Sequence, residues 1–233
     1  MPALRTRRFA TRAALEAALT ERLAAAIGAP AGGAIMLSGG STPLPAYRAL
    51  GARPPAPAAG LAVLFSDDRY VPADSPASNY CQSRPLLDAL RLPEARLLRV
   101  RTELPLVEAA ADYEQRLDEL LGAGVRIGLG LLGLGAEGHT ASLFSAADLE
   151  RARGHRAIPV QRPDGRSAVS VTPELLAQVR EPVFVVAGAD KHAAVAALLA
   201  HDPKLVAWAA VQGCASVELW MDEEAAASAA PRR

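Results

Sequence analysis

The chain has 233 residues, a formal net charge of zero and an apolar content of 51%. This length is enough to bury a sizeable core, and it fits one α/β domain spanning residues 1–233 better than two small ones. No apolar stretch is long enough to span a bilayer and no basic block stands out, so we expect neither a membrane nor a nucleic-acid partner. Two distant cysteines, Cys81 and Cys214, match no metal-binding or redox spacing. We therefore predict reduced thiols in a cytoplasmic protein.

Strand-like and helix-like segments alternate along the chain. The arginine-rich N-terminus runs into apolar residues spaced four apart, from Leu15 to Ile27, and we interpret this segment as the first helix. In chain order, the predicted elements are helix 13–27, strand 34–37, helix 43–50, strand 61–65, helix 80–90, strand 96–100, helix 106–121, strand 125–132, strands 157–160 and 167–171, a helix capped by Thr172, strand 182–187, helix 190–200, strand 216–221 and a short terminal helix. This alternation predicts a three-layer α/β/α fold with a mostly parallel, Rossmann-like sheet.

A glycine-rich turn follows strand 34–37 and opens a helix. It comprises Gly39, Gly40, Ser41, Thr42 and Pro43. Thr42 is suited to cap the helix, and Pro43 is suited to its first turn. A helix N-terminus presents unpaired N–H groups and a partial positive charge, and glycines let an anion approach the backbone closely. Gly39, Gly40, Ser41 and Thr42 are therefore candidate phosphate-binding residues, with an ordinary βα turn as the alternative.

A phosphate dianion also needs cationic side chains, because a surface helix terminus contributes only about 0.3–1 kcal/mol towards one charge. Lys191 lies near the start of the helix that follows strand 182–187, and Arg166 lies just before strand 167–171. Both are candidate phosphate-binding residues. The alternative for each is an ordinary surface charge.

Two acids and an arginine, Asp67, Asp68 and Arg69, follow strand 61–65. Because adjacent side chains of an extended segment point to opposite sides, Asp67 and Arg69 should share a face and Asp68 should face away. A carboxylate beside a guanidinium stays ionised and orients its partner. Asp67 and Arg69 are therefore candidate catalytic residues, and Asp67 acts either in the chemistry or in orientation only. A loop salt bridge is the alternative.

A histidine, His139, follows three glycines at the carboxyl end of strand 125–132, where open α/β sheets bind their ligands. The free pKa of histidine, about 6.5, makes His139 a candidate general base that activates water. Backbone N–H groups of the turn from Gly135 to Gly138, or Arg69, are candidates to stabilise an oxyanion. The glycines also match a dinucleotide-binding spacing, but they lie past mid-chain and open no amphipathic helix, so NAD(P) is not expected.

Together these segments resemble the 6-phosphogluconolactonase family. Its motifs SGGSTP, DERxVP with SNY, and GxGxDGHTASLFP correspond to residues 38–43, 67–72 with 78–80, and 133–144. The chain departs from these motifs at Asp68, Glu137 and Ser145, where the family has glutamate, aspartate and proline. The Glu137 carboxylate is one methylene longer than that aspartate, which could shift the geometry beside His139.

The resemblance implies hydrolysis of 6-phospho-D-glucono-1,5-lactone to 6-phospho-D-gluconate in the oxidative pentose phosphate pathway. It implies no metal and no organic cofactor. We expect the phosphorylated sugar lactone as the small-molecule partner, and a monomer or a homodimer.

Two other functions remain open. Glucosamine-6-phosphate deaminase shares the fold, but its corresponding loop carries a glutamate where residues 141–147 contain no acid, and it has tyrosine where this chain has Arg69. A non-catalytic sugar-phosphate sensor would keep the anion site and need no base.

Overall fold

The computed structural model describes residues 1–29 and 33–226. Its strands are β1 (Ala3–Phe9), β2 (Ala34–Leu37), β3 (Ala62–Phe65), β4 (Asp67–Arg69), β5 (Leu97–Leu98), β6 (Ile127–Leu132), β7 (Ala157–Gln161), β8 (Ser167–Val171), β9 (Val179–Val186) and β10 (Ser216–Asp222). Its α-helices are α1 (Arg12–Ile27), α2 (Leu44–Ala52), α3 (Asn79–Leu90), α4 (Leu106–Gly122), α5 (Ala146–Arg151), α6 (Pro173–Leu176), α7 (His192–Leu199), α8 (Val206–Ala210) and α9 (Glu223–Ala226). Helices α1, α3 and α4 match their predicted bounds to within one residue.

The strands form two sheets. Seven strands pair in the order β1-β10-β9-β6-β2-β3-β5, and all of these pairings are parallel. A smaller antiparallel sheet has the order β4-β8-β7. Helices cover both faces of the large sheet, so the predicted three-layer α/β/α fold with a mostly parallel, Rossmann-like sheet is confirmed.

The large sheet separates two apolar cores, as expected for strands that are buried on both faces. Along β2, Ala34 and Met36 point into one core, and Ile35 and Leu37 point into the other. The first core is completed by α4, α7, α8 and the small sheet. The second core is completed by α1, α2 and α3, whose buried leucines recur at helical spacing.

The position of the candidate site follows from the strand order. Strands β9, β6, β2 and β3 are neighbours in the sheet, and they all run in one direction. The chain leaves their carboxyl ends in four adjacent loops, which begin near residues 187, 133, 38 and 66. Open α/β sheets place their ligands in the crevice outside these strand ends.

The arginine-rich N-terminus is not part of the first helix. Residues Ala3–Phe9 form the edge strand β1, which pairs with β10, and the helix begins at Arg12 behind the capping residue Thr11. Most β1 side chains are exposed, and the strand lies at the edge of the sheet. An exposed edge strand lacks the apolar alternation that identifies a strand in sequence.

Other differences from the predicted elements involve short segments. Strands β1 and β4 and helices α5 and α8 were not predicted, and the predicted strand 96–100 shortens to Leu97–Leu98. A 3₁₀ turn, Ala189–Lys191, precedes α7. Thr172 caps α6 as predicted, by accepting a hydrogen bond from the N–H of Leu175. Thr42 does not cap α2, because Pro43 occupies the N-cap position and no side chain caps this helix.

No helix within the described ranges combines the length and the apolar character that a bilayer crossing requires.

Candidate active site

A cavity of about 270 Å³ opens at the carboxyl ends of β2, β3, β6 and β9. It brings together the three segments that the sequence analysis identified. Nine of the predicted site residues line it: Gly39, Gly40, Ser41, Thr42, Asp67, Arg69, Gly135, His139 and Lys191. Gly138 and Arg166 do not line it. The volume and the cationic side chains suit a small anionic ligand.

The glycine-rich turn presents free backbone donors to this cavity. None of the hydrogen bonds formed within residues 1–29 and 33–226 uses the N–H group of Gly40 or Ser41 as donor. Gly40 has a φ of 98°, a conformation that favours glycine. Arg12 supports the turn from behind, because its Nη2 donates to the Ser41 carbonyl over 2.8 Å. The turn can therefore receive an anion without breaking hydrogen bonds of its own.

Asp67 is fixed by hydroxyl and amide donors. Its Oδ2 accepts from Ser142 Oγ at 2.7 Å, and its Oδ1 accepts from Ser66 Oγ at 2.9 Å and from Asn79 Nδ2 at 3.3 Å. The alternative interpretation, a loop salt bridge between Asp67 and Arg69, is not supported, because the salt bridges of the described residues do not include this pair. Ser142 ties Asp67 to the loop that carries His139, so this geometry favours orientation over a direct chemical role for Asp67.

Arg69 shares the cavity wall with Asp67, as the alternation of side chains predicts. Its Nη1 donates to the Ala77 carbonyl at 2.9 Å, while its Nε is buried without a hydrogen-bond partner in the described structure. A buried guanidinium N–H that lacks an acceptor costs free energy unless a ligand supplies one. Because Arg69 also lines the cavity, its guanidinium is a candidate partner for an oxygen atom of a bound ligand.

Asp68 faces away from the cavity and accepts hydrogen bonds from the N-terminus of helix α3. Its carboxylate accepts from the N–H groups of Asn79 at 2.6 Å and Tyr80 at 3.2 Å, and from Ser78 Oγ at 2.9 Å. Burial raises the pKa of Asp68 to about 6, and the hydrogen bonds from Asn79, Ser78 and Tyr80 oppose that rise. Asp68 therefore stabilises the element that delivers Asn79 to the site.

His139 is oriented by a neighbouring carboxylate. Its Nδ1 lies 2.8 Å from Glu137 Oε1, and its ring packs against Phe144 with centroids 4.5 Å apart. Partial burial acts to raise the pKa of Glu137, but the hydrogen bond from its own N–H and the nearby His139 and Lys191 bring that pKa below its ordinary value. An ionised Glu137 favours a proton on Nδ1, which leaves Nε2 as the basic nitrogen.

The glycines of this loop make room for neighbouring side chains, Gly135 for His139 and Gly138 for Leu205. A Cβ on Gly135 would lie 2.0 Å from His139 Nδ1, and a Cβ on Gly138 would lie 2.2 Å from Leu205 Cδ1. The N–H of Gly135 donates to the His139 carbonyl, and the N–H of Gly138 donates to the Gly135 carbonyl, each over 2.9 Å. Both donors are used inside the turn, so the structure gives no support to Gly135 and Gly138 as oxyanion candidates.

Two cationic side chains, Lys191 and Arg162, also line the cavity. Lys191 contacts Asp190 at 3.1 Å, and its 3₁₀ turn is held by Asp222, whose carboxylate accepts from the Gly188 N–H. Arg162, which the sequence analysis did not select, lines the cavity and stacks on Phe144, with its guanidinium carbon 5.1 Å from the ring centroid. Its Nη1 also reaches Ser142 Oγ at 3.4 Å.

Arg166, by contrast, is outside the cavity. It is exposed and pairs with Asp164 at 2.8 Å. The two arginines sit at the two ends of the turn between β7 and β8, where the N–H of Arg162 donates to the Arg166 carbonyl. The sequence indicated an arginine just before β8. The hairpin geometry shows that Arg162, and not Arg166, lines the cavity.

The described part of the chain contains no cluster of three or more His, Cys, Asp or Glu side chains arranged to hold a metal ion.

Comparison with protein families identifies this arrangement. Residues 7–220 match the model of the glucosamine-6-phosphate isomerases/6-phosphogluconolactonase family. The chain belongs to this family. It is 37% identical over 196 residues to a 6-phosphogluconolactonase of Synechocystis sp., an alignment that covers 79% of this chain and 78% of the relative. It is 34% identical over 227 residues to the human 6-phosphogluconolactonase, with 92% and 88% of the two chains covered.

Solved structures show the same fold. A structure of 6-phosphogluconolactonase from Trypanosoma brucei superposes with a TM-score of 0.81 at 26% identity, and the match covers 97% of this chain and 98% of that one. A monomeric glucosamine-6-phosphate deaminase superposes with a TM-score of 0.79 at 18% identity, over 95% and 98% of the two chains. At that identity the second likeness concerns the fold alone, so the choice between the two activities depends on the site.

Proposed function

We propose that the protein hydrolyses 6-phospho-D-glucono-1,5-lactone to 6-phospho-D-gluconate, with His139 as general base. The observation that carries this proposal is the cavity that His139, tied through Nδ1 to Glu137, lines together with the free N–H groups of the glycine-rich turn. Relatives named 6-phosphogluconolactonase support the activity. Residues 1–233 act as one domain in this proposal, since β1 and β10, from opposite ends of the chain, are paired.

The glycine-rich turn and two cations bind the phosphate. The N–H groups of Gly40 and Ser41 supply donors and the helix α2 a partial positive charge, while Lys191 and Arg162 supply full charges. Together they hold the lactone so that its carbonyl lies near His139, which turns the attack of water into a positioned step.

The chemistry uses one proton and returns it. His139 Nε2 takes a proton from water as the oxygen bonds to the lactone carbonyl carbon, and the carbonyl oxygen becomes an oxyanion. Arg69 stabilises that oxyanion, since its guanidinium lines the cavity, while the N–H groups of Gly135 and Gly138 are used inside their own turn. The intermediate collapses, the bond from the carbonyl carbon to the ring oxygen breaks, and the His139 imidazolium protonates that oxygen.

The deaminase alternative is less compatible with the site. The first acid after His139 is Asp148, which does not line the cavity. Its carboxylate caps helix α5, accepts from the N–H groups of Phe144 and Ser145, and pairs with Arg151 at 2.6 Å. This loop therefore supplies the cavity with no carboxylate that could act in ring opening.

The proposal is tested by three assays on the purified protein. We expect rapid opening of the phosphorylated lactone near pH 6.5, where the uncatalysed background is small, and no ammonia from glucosamine 6-phosphate. The unphosphorylated glucono-lactone is the matched control, and its turnover should be far slower because it lacks the bound phosphate. Ammonia release without lactone opening would establish the deaminase, and binding of 6-phosphogluconate without turnover of either substrate would establish a sensor.

A further inference from the structure

Asn79, at the start of helix α3, connects two loops of the cavity. Its Nδ2 donates to the Asp67 carbonyl at 2.8 Å and to Asp67 Oδ1 at 3.3 Å, and its own N–H donates to Asp68 at 2.6 Å. Asn79 is only 1% exposed, yet it lines the cavity. The residue is therefore held rigidly by the loop that carries Asp67 and Arg69.

The opposite side of the Asn79 carboxamide packs directly against Gly39. A Cβ placed on Gly39 would lie 1.9 Å from Asn79 Oδ1, 2.3 Å from Cγ and 2.8 Å from Nδ2. Asn79 Oδ1 is buried and has no conventional hydrogen-bond partner in the described structure. The carboxamide thus fills the space in which any other residue at position 39 would put its side chain. It does not swing away freely, because Nδ2 is tied to Asp67.

At the neighbouring position, Gly40, glycine is required for a different physical reason. Gly40 has a φ of 98°, and a Cβ added to it would meet no atom of the described residues within 4 Å, so its backbone conformation demands glycine and its surroundings do not. Gly39 is the reverse case, since its φ lies outside that left-handed range while its surroundings leave no room. The two glycines of one turn are thus required by different physical causes.

We propose that Asn79 is a positioning residue that locks the glycine-rich turn against the Asp67 loop, and that this lock is what requires glycine at position 39. Through the lock, the N–H groups that receive the phosphate keep a set distance from the loop that carries Arg69. The positioning role depends on the proposed function, whereas the steric fit between the two residues does not.

The test is a double-mutant cycle of Gly39→Ala and Asn79→Ala, followed by thermal unfolding. Forcing a methyl group into a packed site destabilises the folded state. For a protein of this size we expect Gly39→Ala to lower Tm by roughly 3–10 °C. Asn79→Ala removes the obstructing carboxamide, so the double variant should unfold at a higher temperature than the sum of the two single shifts predicts. Additive shifts would overturn the proposal.

Gly40→Ala is the matched control. It should also lower Tm, because of its positive φ, but Asn79→Ala should not rescue it, since no Asn79 atom lies within 4 Å of that position. If Gly39→Ala fails to fold, recovery of a cooperatively unfolding Gly39→Ala/Asn79→Ala protein supports the lock. Failure of that double variant, while Asn79→Ala alone folds, counts against it.

Ligand binding separates positioning from stability. Measured by calorimetry with inorganic phosphate as the probe, Gly39→Ala should weaken binding about tenfold, or ~1.4 kcal/mol, and the double variant should recover most of that loss. Recovery of Tm without recovery of phosphate affinity would overturn the positioning role. A third outcome is that the Tm shifts of the variants are coupled but the wild-type protein opens no lactone. That outcome would support the steric lock and contradict the proposed function.

Discussion

The two ends of the cavity are built in different ways. At the reacting end, which comprises His139, Glu137, Asp67 and Arg69, the proposed mechanism gives each side chain a task of its own, and the first three are joined to neighbours by close hydrogen bonds. At the anion end, which comprises residues 39–43, Arg162 and Lys191, the proposal gives backbone donors and two cations one shared task, the binding of phosphate. We therefore expect that removing one group lowers activity strongly at the reacting end and moderately at the anion end.

The largest effect is expected from His139→Asn. The variant keeps a polar side chain of similar size but removes the basic nitrogen, so kcat should fall about 10²- to 10⁴-fold. Binding of 6-phosphogluconate, measured by calorimetry, should change little because the anion end is intact. Unchanged turnover would remove His139 from the mechanism, and a parallel loss of binding would show that the two ends are not independent.

Glu137→Gln should give the next largest loss. The amide oxygen can still accept from Nδ1, but the negative charge that stabilises the imidazolium is gone. A hydrogen bond to a charged group contributes about 1.5–3 kcal/mol, so kcat should fall roughly 10- to 150-fold with little change in KM. Glu137→Asp is the control, since it keeps the charge and should retain more activity than the glutamine variant. A larger loss in Glu137→Asp than in Glu137→Gln would indicate that the length of the side chain, and not its charge, is what Glu137 provides.

The anion end is tested by a pair of arginines. Arg162→Gln should raise KM for the lactone about tenfold, with a smaller change in kcat, because Lys191 and the backbone donors remain. Arg166→Gln is the matched control from the other end of the same hairpin turn, and it should leave KM within about twofold, because this exposed side chain pairs with Asp164 outside the cavity. The reverse ranking of the two variants would restore Arg166 as the phosphate-binding residue.

The smallest effect on activity is expected at Asp68, where the readout is stability. The pKa of Asp68 is about 6 in the folded chain and ordinarily 3.8, so the folded state binds more protons between these values. Its contribution to the free energy of unfolding is therefore full below about pH 4 and declines, by up to about 3 kcal/mol, as the pH rises through 6. Asp68→Asn should remove this part of the pH dependence. Denaturant unfolding curves that shift in parallel for both proteins from pH 4 to 7 would contradict the assignment.

Much of the fold was predictable because the long helices and the buried strands have apolar patterns that identify them in the sequence. The buried leucines of α1 recur every four residues, and β2, β3 and β6 are continuous apolar runs that end at glycines or polar residues. The edge strand β1 and the short helices α5 and α8 escaped prediction. An exposed strand or a helix of five or six residues is defined by its neighbours rather than by its own periodicity.

The candidate site divides in the same way. The sequence by itself determined which segments meet, because parallel strands end at a common edge and each segment follows such a strand. Only the tertiary structure decided which atoms face the cavity: Arg162 instead of Arg166, bound rather than free N–H groups at Gly135 and Gly138, and the Asn79 carboxamide against Gly39. These outcomes depend on hairpin geometry, on hydrogen bonds inside a turn and on packing between residues about forty positions apart, and a linear pattern of residue types contains none of them.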